Sequence, residues 1–398
     1  MVVRRHSVPQ AAVNRARVLR LLRRHHRLSR NEIARRSGLS EASVSRIVSE
    51  LVGRSLVVEE GLGRSTGGRP AAHLRFDDDH HIAVGVDIHT WESRVSAGAL
   101  SGRILASAYF RTPQDPTETL DAIAEQVQAL LAGFGGRRVE GIGVSARGLI
   151  NSREGTIEHG HDERWIKVPV REHLESRLQV PVHVENNVRA AAFAEYHYGS
   201  PDVRDAHCLL FVKVDEGIGV SMMLEGELFY GQHMAAGEFG QMVIHDQGGG
   251  VRHDRPGCLE KLANDTAICE RYRSQNGAKR SGAGGDVTTR AKQICHLAMA
   301  GDRAAVDALK ETARYLGIGI SNIVWGLDPD GVIIDGTVTE AWPLVDAVVR
   351  EQFADGREFL NFRNLLLRPS ALEGQAAITG AAALPFRTLF EKAQHARV

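Results

Sequence analysis

The sequence predicts an α/β protein: an N-terminal winged helix-turn-helix followed by two α/β halves with a ligand cleft between them. Three observations carry that reading. Residues 1–75 hold 16 Arg, no Lys and 5 Glu, a net +11, whereas the remainder carries 33 basic and 44 acidic residues, a net −11, in a chain of 398 residues. From His81 onward, short β-rich runs replace the helical spacing of the head. A similar order of strands and helices then returns from His207. A chain of this length favours two or three cores over one.

The head reads as three helices. The first carries Val18, Leu19, Leu21 and Leu22. "SRNE", Ser29 to Glu32, is a capping box that opens the second. In "SGLS", Gly38 supplies the turn and Ser40 caps the third helix. There Val44, Ile47, Val48 and Leu51 form one apolar stripe, and Ala42, Ser43, Ser45 and Arg46 face the other way. Short polar residues and an Arg near a helix start suit major-groove base edges and phosphates. With the basic charge, the pattern points to double-stranded DNA as the partner. Two β-rich runs then flank "GLGRSTGGRP", the pattern of a wing. Arg64 and Arg69 lie on it, and "GRP" projects an Arg of the kind that enters narrow A·T minor grooves.

The four cysteines are scattered, which favours a reducing compartment. No apolar run reaches membrane-spanning length, and "MVVRRHSVPQ" lacks the apolar stretch of a signal peptide, so the expected place is the cytoplasm.

In the body, "HIAVGVDI", "SRVSAGAL" and "GRILASAYF" are three strands. The helix "TETLDAIAEQVQALLAGF" and the strand and Gly loop "VEGIGVSARGLI" follow. Strand "VPVHV" then runs into "ENNVRAAAFAEYHYG", which places Asn186 and Asn187 at a strand-to-helix junction. Open α/β sheets hold ligands at such junctions. Amides can hold a ligand, but they cannot take its proton. The second half reads "HCLLFVKV", "GIGVSMMLEGELFYG", long helices from Thr288 to Trp325, "GVIIDG", a helix, "NLLLRP" and a final helix. No sequence-level repeat is sharp enough to prove a duplication. The expected domains are 1–78 for the head, 79–187 for the first half, joined by a final helix of about 380–398, and 188–379 for the second.

In "TGGRP", "VENNVRAAAFAE", "GIGVSMMLEGELFYGQHMAAGEFGQ" and "GCLE" the chain resembles transcriptional regulators of the ROK family. That family groups repressors, open reading frames and kinases on a hexokinase/actin-like fold. The likeness covers nearly the whole chain. It implies actin-like, ribonuclease-H-like halves with a sugar pocket between them. It also implies sugar contacts from Asn186, Glu238 and Glu260, with Asn187, Gln241, Ser145, Arg147 and Gly148 in the same neighbourhood. Carboxylates and amides suit paired sugar hydroxyls because they accept and donate in forked pairs.

The departures from the family pattern concern phosphotransfer. The kinases of the family place a catalytic Asp after the pocket Asn; here the residue is Asn187. Their first phosphate loop is D-x-G-G-T; "DIHTWES" keeps Asp87 but sets His89 and Thr90 in place of the glycines. Their second loop is G-T-G-x-G; "DEGIG" puts Glu216 where phosphate would lie. No catalytic residue is therefore expected. The family's zinc ligands align with Gln241, Val251, His253 and Cys258, short of the four ligands of a structural zinc. No metal is expected, and any rearranged site would draw on His245, His253 and Cys258.

Arg147 and Arg189 border the expected pocket. Turned inward, either favours a sugar phosphate or sugar acid; turned outward, or paired with an acid such as Glu185, it does not. The resulting expectation is a sugar-responsive regulator that binds DNA as a homodimer or homotetramer, since two-fold operators match two-fold proteins. Two rivals stand beside it: a sugar kinase with a DNA-binding head, and a regulator answering to a partner protein with a vestigial pocket.

Overall fold

The computed structural model describes residues 10–62, 72–204, 206–245, 257–275, 286–353 and 365–391. The chain divides into two compact units, Met1–Arg204 with Gln375–Val398, and Asp205–Gly374.

The head belongs to the first unit. Its helices are Gln10–His25, Arg30–Ser37 and Glu41–Gly53. The capping box forms as read: the Ser29 hydroxyl accepts from Glu32 N at 3.3 Å, and the Glu32 carboxylate accepts from Ser29 N at 2.8 Å. Gly38 sits at φ +68°, and Ser40 caps the third helix through Ser43 N. Val44, Ile47, Val48 and Leu51 are buried. Three antiparallel strands complete the head, in the order Leu28–Ser29, Ala72–Phe76, Val57–Leu62. The wing tip with Arg64 and Arg69 lies outside the described residues. The head core is not closed on itself: Leu22, Val48 and Leu74 share one cluster with Ala83, Leu100 and Phe386.

The rest of the first unit is a five-stranded sheet in the order Val182–Asn186, Arg138–Ala146, His81–Ile88, Glu92–Ala99, Ile104–Arg111. Val84, Val86, Ile142 and Val144 point to one face and pack with Leu120, Ile123 and Val127 of helix Pro116–Ala132. The opposite face is floored with glycine and covered by helix Ala376–Ala383, all eight residues of which are buried. A Cβ at Gly143 would stand 1.9 Å from Ala381 O, and one at Gly380 would stand 1.9 Å from Ala190 O. Glycine lets the helix touch both the sheet and helix Asn187–Tyr198.

That packing corrects the expected boundary. Helix Asn187–Tyr198 buries ten of its 12 residues and stays with the first unit, so the division falls after Arg204 and not after Asn187. The returning segment starts earlier than expected and is broken, as Ala376–Ala383, a 3₁₀ turn Leu384–Phe386 and Arg387–Glu391.

The second unit has its own five-stranded sheet, in the order Glu227–Leu228, Ile218–Leu224, Cys208–Val214, Gly331–Gly336, Leu366–Pro369. In both units the first three strands in chain order form an antiparallel meander, and two later strands add in parallel beside the first of them. The shared plan supplies the duplication that no sequence repeat proved. The long helical stretch is two helices, Val287–Met299 and Arg303–Leu327, separated at Gly301 with φ +91°. All four cysteines are buried and free. Among the described residues no helix is long and apolar enough to cross a membrane.

Candidate functional site

Strand pairing assembles the first unit's candidates. Glu185 lies opposite Ser145 and Asn186 opposite Ala146, while Asp87 lies opposite Ser145 on its other side. Asn186 is the N-cap of helix Asn187–Tyr198. Its Oδ1 accepts from Val188 N at 2.9 Å and Arg189 N at 3.2 Å, and its Nδ2 donates to Gly148 O at 3.0 Å. One amide N–H is left over. Gly148 has φ +105°, and a Cβ there would meet His159 O at 2.0 Å. Asn186 thus joins the Gly loop to the helix start. Asn187 is the first helical residue and is 6% exposed.

Arg189 takes the paired alternative. It is 4% exposed and Glu185 1%. Its Nε donates to Glu185 Oε1 at 2.6 Å and its Nη2 to Ile150 O at 3.0 Å. Glu185 Oε1 also accepts from Asn186 N at 2.7 Å and Ser152 Oγ at 2.9 Å. Arg147 is half-buried in the loop before Gly148.

Ser145 is 0% exposed, and its hydroxyl donates to Asp87 Oδ1, so it holds Asp87 in place. Asp87 Oδ2 accepts from His89 Nε2 at 2.9 Å. The imidazole that replaces a glycine therefore occupies the loop's carboxylate. Trp91, in the same loop, is 65% exposed.

In the second unit, Glu260 Oε2 accepts from Ile218 N at 3.0 Å. Glu238 and Gln241 are exposed on the 3₁₀ turn Glu238–Gln241. Two glycines press that turn onto strand Ile218–Leu224: a Cβ at Gly237 would stand 1.9 Å from Val220 O, and one at Gly240 would stand 2.4 Å from Ile218 O. Glu238, Gln241 and Glu260 are therefore fixed around one strand end.

The second loop is more acidic than the sequence reading had it. Glu216 is joined there by Asp215 and Asp335, with Lys213 Nζ 3.2 Å and 3.3 Å from them. Asp265 lies buried nearby in sequence to Asn264, whose Nδ2 donates to Glu216 O at 2.8 Å. Asp265 Oδ2 accepts from Thr288 Oγ1 at 2.7 Å and Thr337 Oγ1 at 3.2 Å. Burial pushes its carboxyl from 3.8 up to about 6. Lys213, Asp265 and Asp335 come from three separate segments, and no local signal marks them.

The zinc question falls on the loop between His245 and Cys258. Ile244 N and His245 N donate to Gly257 O at 2.9 Å and 3.2 Å, and Leu259 N donates to Met242 O at 2.8 Å. Backbone bonds thus clasp the loop's two ends. Cys258 is buried and His245 exposed; Val251 and His253 lie outside the described residues. Among the described residues no group of three or more His, Cys, Asp or Glu is placed to hold a metal.

On the head, Ala42, Ser45 and Arg46 are exposed and Ser43 is half-buried. Arg30, which sequence reasoning passed over, reaches the same helix: its Nη1 donates to Ser45 Oγ at 3.0 Å and Ser45 O at 3.2 Å.

A family model described as ROK family matches residues 83–387, and one described as the IclR helix-turn-helix domain matches residues 11–61. The chain belongs to the ROK family. As a ROK protein it is 30% identical to the DNA-binding transcriptional dual regulator NagC of Escherichia coli (strain K12), over 95% of this chain and 93% of that one. It is 25% identical to the xylose repressor of Bacillus subtilis (strain 168), over 94% of each. Its fold matches the crystal structure of a ROK family transcriptional regulator, homolog of E. coli MLC protein, with a TM-score of 0.79 at 22% identity over 97% of this chain and 98% of that one. A ROK family glucokinase from Streptomyces griseus, solved with glucose and AMPPNP, gives a TM-score of 0.65 at 28% identity over 77% of this chain and 99% of the kinase.

Proposed function

We propose that the chain is a sugar-responsive repressor of carbohydrate-utilisation genes that binds its sugar without phosphorylating it. One observation carries the reading: a helix-turn-helix precedes a ROK body in which an amide, Asn187, stands where the family's kinases keep their base. An amide has no usable basicity near neutral pH. The commitment of Asp87 to His89 and Ser145 supports the same conclusion, as does the acidic surround of Glu216. The names of the relatives, which include an N-acetylglucosamine repressor and xylose repressors, support a sugar effector.

Asn186, through its remaining N–H, and Glu238, Gln241 and Glu260 are the groups proposed to hold the sugar. Pairing of Arg189 with Glu185 favours a neutral sugar over a sugar phosphate. The repressor acts as a homodimer or homotetramer, because one helix-turn-helix reads too few base pairs, and it works in the cytoplasm. Zinc is not part of the proposal, because two of the family's four ligand positions carry Gln241 and Val251.

The test pairs a thermal-shift panel of sugars and sugar phosphates with a coupled ADP-release assay. A ligand that binds only the folded state raises its melting temperature. A neutral sugar should do so, Asn186→Ala and Glu238→Ala should abolish the shift, and no sugar should release ADP. Sugar-dependent ADP release would overturn the reading in favour of a kinase with a DNA-binding head.

A further inference from the structure

We propose that Arg204 is the positioning residue that couples effector occupancy to the DNA-binding head, resting on the sugar-responsive reading above. One guanidinium joins the carboxyl ends of two helices. Its Nη1 donates to Arg23 O at 3.1 Å and Arg24 O at 2.7 Å, in the last turn of the head's first helix, Gln10–His25. Its Nε and Nη2 donate to Gly199 O at 3.2 Å and 2.7 Å, and Nη2 also reaches Tyr198 O at 3.4 Å. Those carbonyls end helix Asn187–Tyr198, which starts at Asn186.

Carbonyls of a helix's last turn lack intrahelical donors and carry the negative end of the dipole. A planar fork with five donors in fixed, wide-set directions serves two such ends at once, a geometry that the compact ammonium of a lysine does not reproduce. The helix between is stiff, being buried along its length against Ala376–Ala383, and spans roughly 18 Å at 1.5 Å per residue. One of its ends therefore carries the amide proposed to hold the sugar, and the other is tied to the head.

Arg204 is also the last residue of the first unit, and the chain enters the second at Asp205. A shift at Asn186 reaches the clamp through the helix that it caps. Packed helices of this kind slide as rigid bodies by small steps. Tyr198 braces the joint, with its ring 5.7 Å below the Arg23 guanidinium. Gly102 leaves room for that ring, since a Cβ there would come within 2.3 Å.

The experiment measures operator affinity with and without the best sugar of the panel, in the unmutated protein, Arg204→Ala and Arg204→Lys. In both variants sugar affinity should stay within about twofold, while the sugar-induced change in operator affinity falls from tenfold or more to under twofold. Arg204→Lys keeps charge and stem, and gives the reading if Arg204→Ala proves too unstable to purify. Retention of the full sugar response in either variant overturns the proposal, whatever the melting temperature. Hydrogen exchange at His26 and Gly199, whose amides close the two helix ends, runs beside it in the sugar-free proteins. If no sugar moves operator affinity in the unmutated protein, the sugar reading fails. Equal exchange in the variants then overturns the clamp too, and tenfold faster exchange at both amides upholds it.

Discussion

Replacing Glu185 by glutamine tests the ionic joint beneath the site most directly. The substitution keeps the shape and leaves an oxygen for Ser152 Oγ and Asn186 N, but removes the charge facing Arg189. Arg189 is then a cation in a nearly water-free place, still held by Ile150 O. Breaking a buried pair by removing one partner costs about 3–5 kcal/mol, because the stranded charge keeps its desolvation penalty. Glutamine retains part of the hydrogen bonding, so Glu185→Gln should cost about 3 kcal/mol. Removing the second charge as well should recover part of that loss: Glu185→Gln with Arg189→Met should be at least 1 kcal/mol more stable than Glu185→Gln alone, a non-additivity that only a shared interaction produces. Urea unfolding followed by circular dichroism measures the unmutated protein, Glu185→Gln, Arg189→Met and the double variant, and the cycle gives the coupling. A loss under 1 kcal/mol in Glu185→Gln, with additive behaviour in the double variant, would refute the argument and return Arg189 to the ligand.

Three further outcomes are expected. Operator binding should reside in residues 1–78 and weaken steeply with salt, given the net +11 of the first 75 residues; in gel shifts Arg46→Ala should cost about 1–3 kcal/mol, and Arg69→Ala should reduce the preference for A·T flanks. The raised carboxyl of Asp265 makes the folded state favour its neutral form, so that contribution is complete below 3.8 and is lost as pH climbs through about 6. Asp265→Asn should therefore gain on the unmutated protein by about 2 kcal/mol between pH 4 and pH 8 in denaturant melts, and a pH-independent difference would contradict it. Metal analysis should find well under one zinc per chain after dialysis; stoichiometric zinc would point to His245, His253 and Cys258.

The head was legible almost residue by residue because its signals are local. Ser29 with Glu32, Gly38, Ser40 and the stripe from Val44 to Leu51 each act within one helical turn. The strands of the body were legible for the same reason. What the sequence hid is non-local. Asn186 was visible as a ligand candidate, but its second task, joining the helix start to Gly148 O, needs a partner 38 residues away. Ser145 looked available until Asp87, 58 residues earlier, took its hydroxyl. Arg204 lies 180 residues from the carbonyl of Arg24, and no periodicity foretells that bond. The unit boundary was misplaced because Gly380 and Ala190 are remote in sequence, and their close approach is what keeps helix Asn187–Tyr198 with the first unit.

The glycine floor under Ala376–Ala383 also dictates an order of events during synthesis. The first unit's sheet is complete in chain order by Asn186, yet one of its faces stays uncovered until a helix from the far end of the chain arrives. Ribosomes add about 5–20 residues per second, so that face waits about ten seconds or more for its cover. The second unit is a single uninterrupted stretch, Asp205–Gly374, and emerges whole in the meantime. Folding therefore finishes at the amino-terminal unit last, against the usual vectorial sequence, and a nascent chain halted before Ala376 carries a DNA-binding head on an unfinished base. The core on which the head rests is complete only once Ala376–Ala383 and Phe386 have been made.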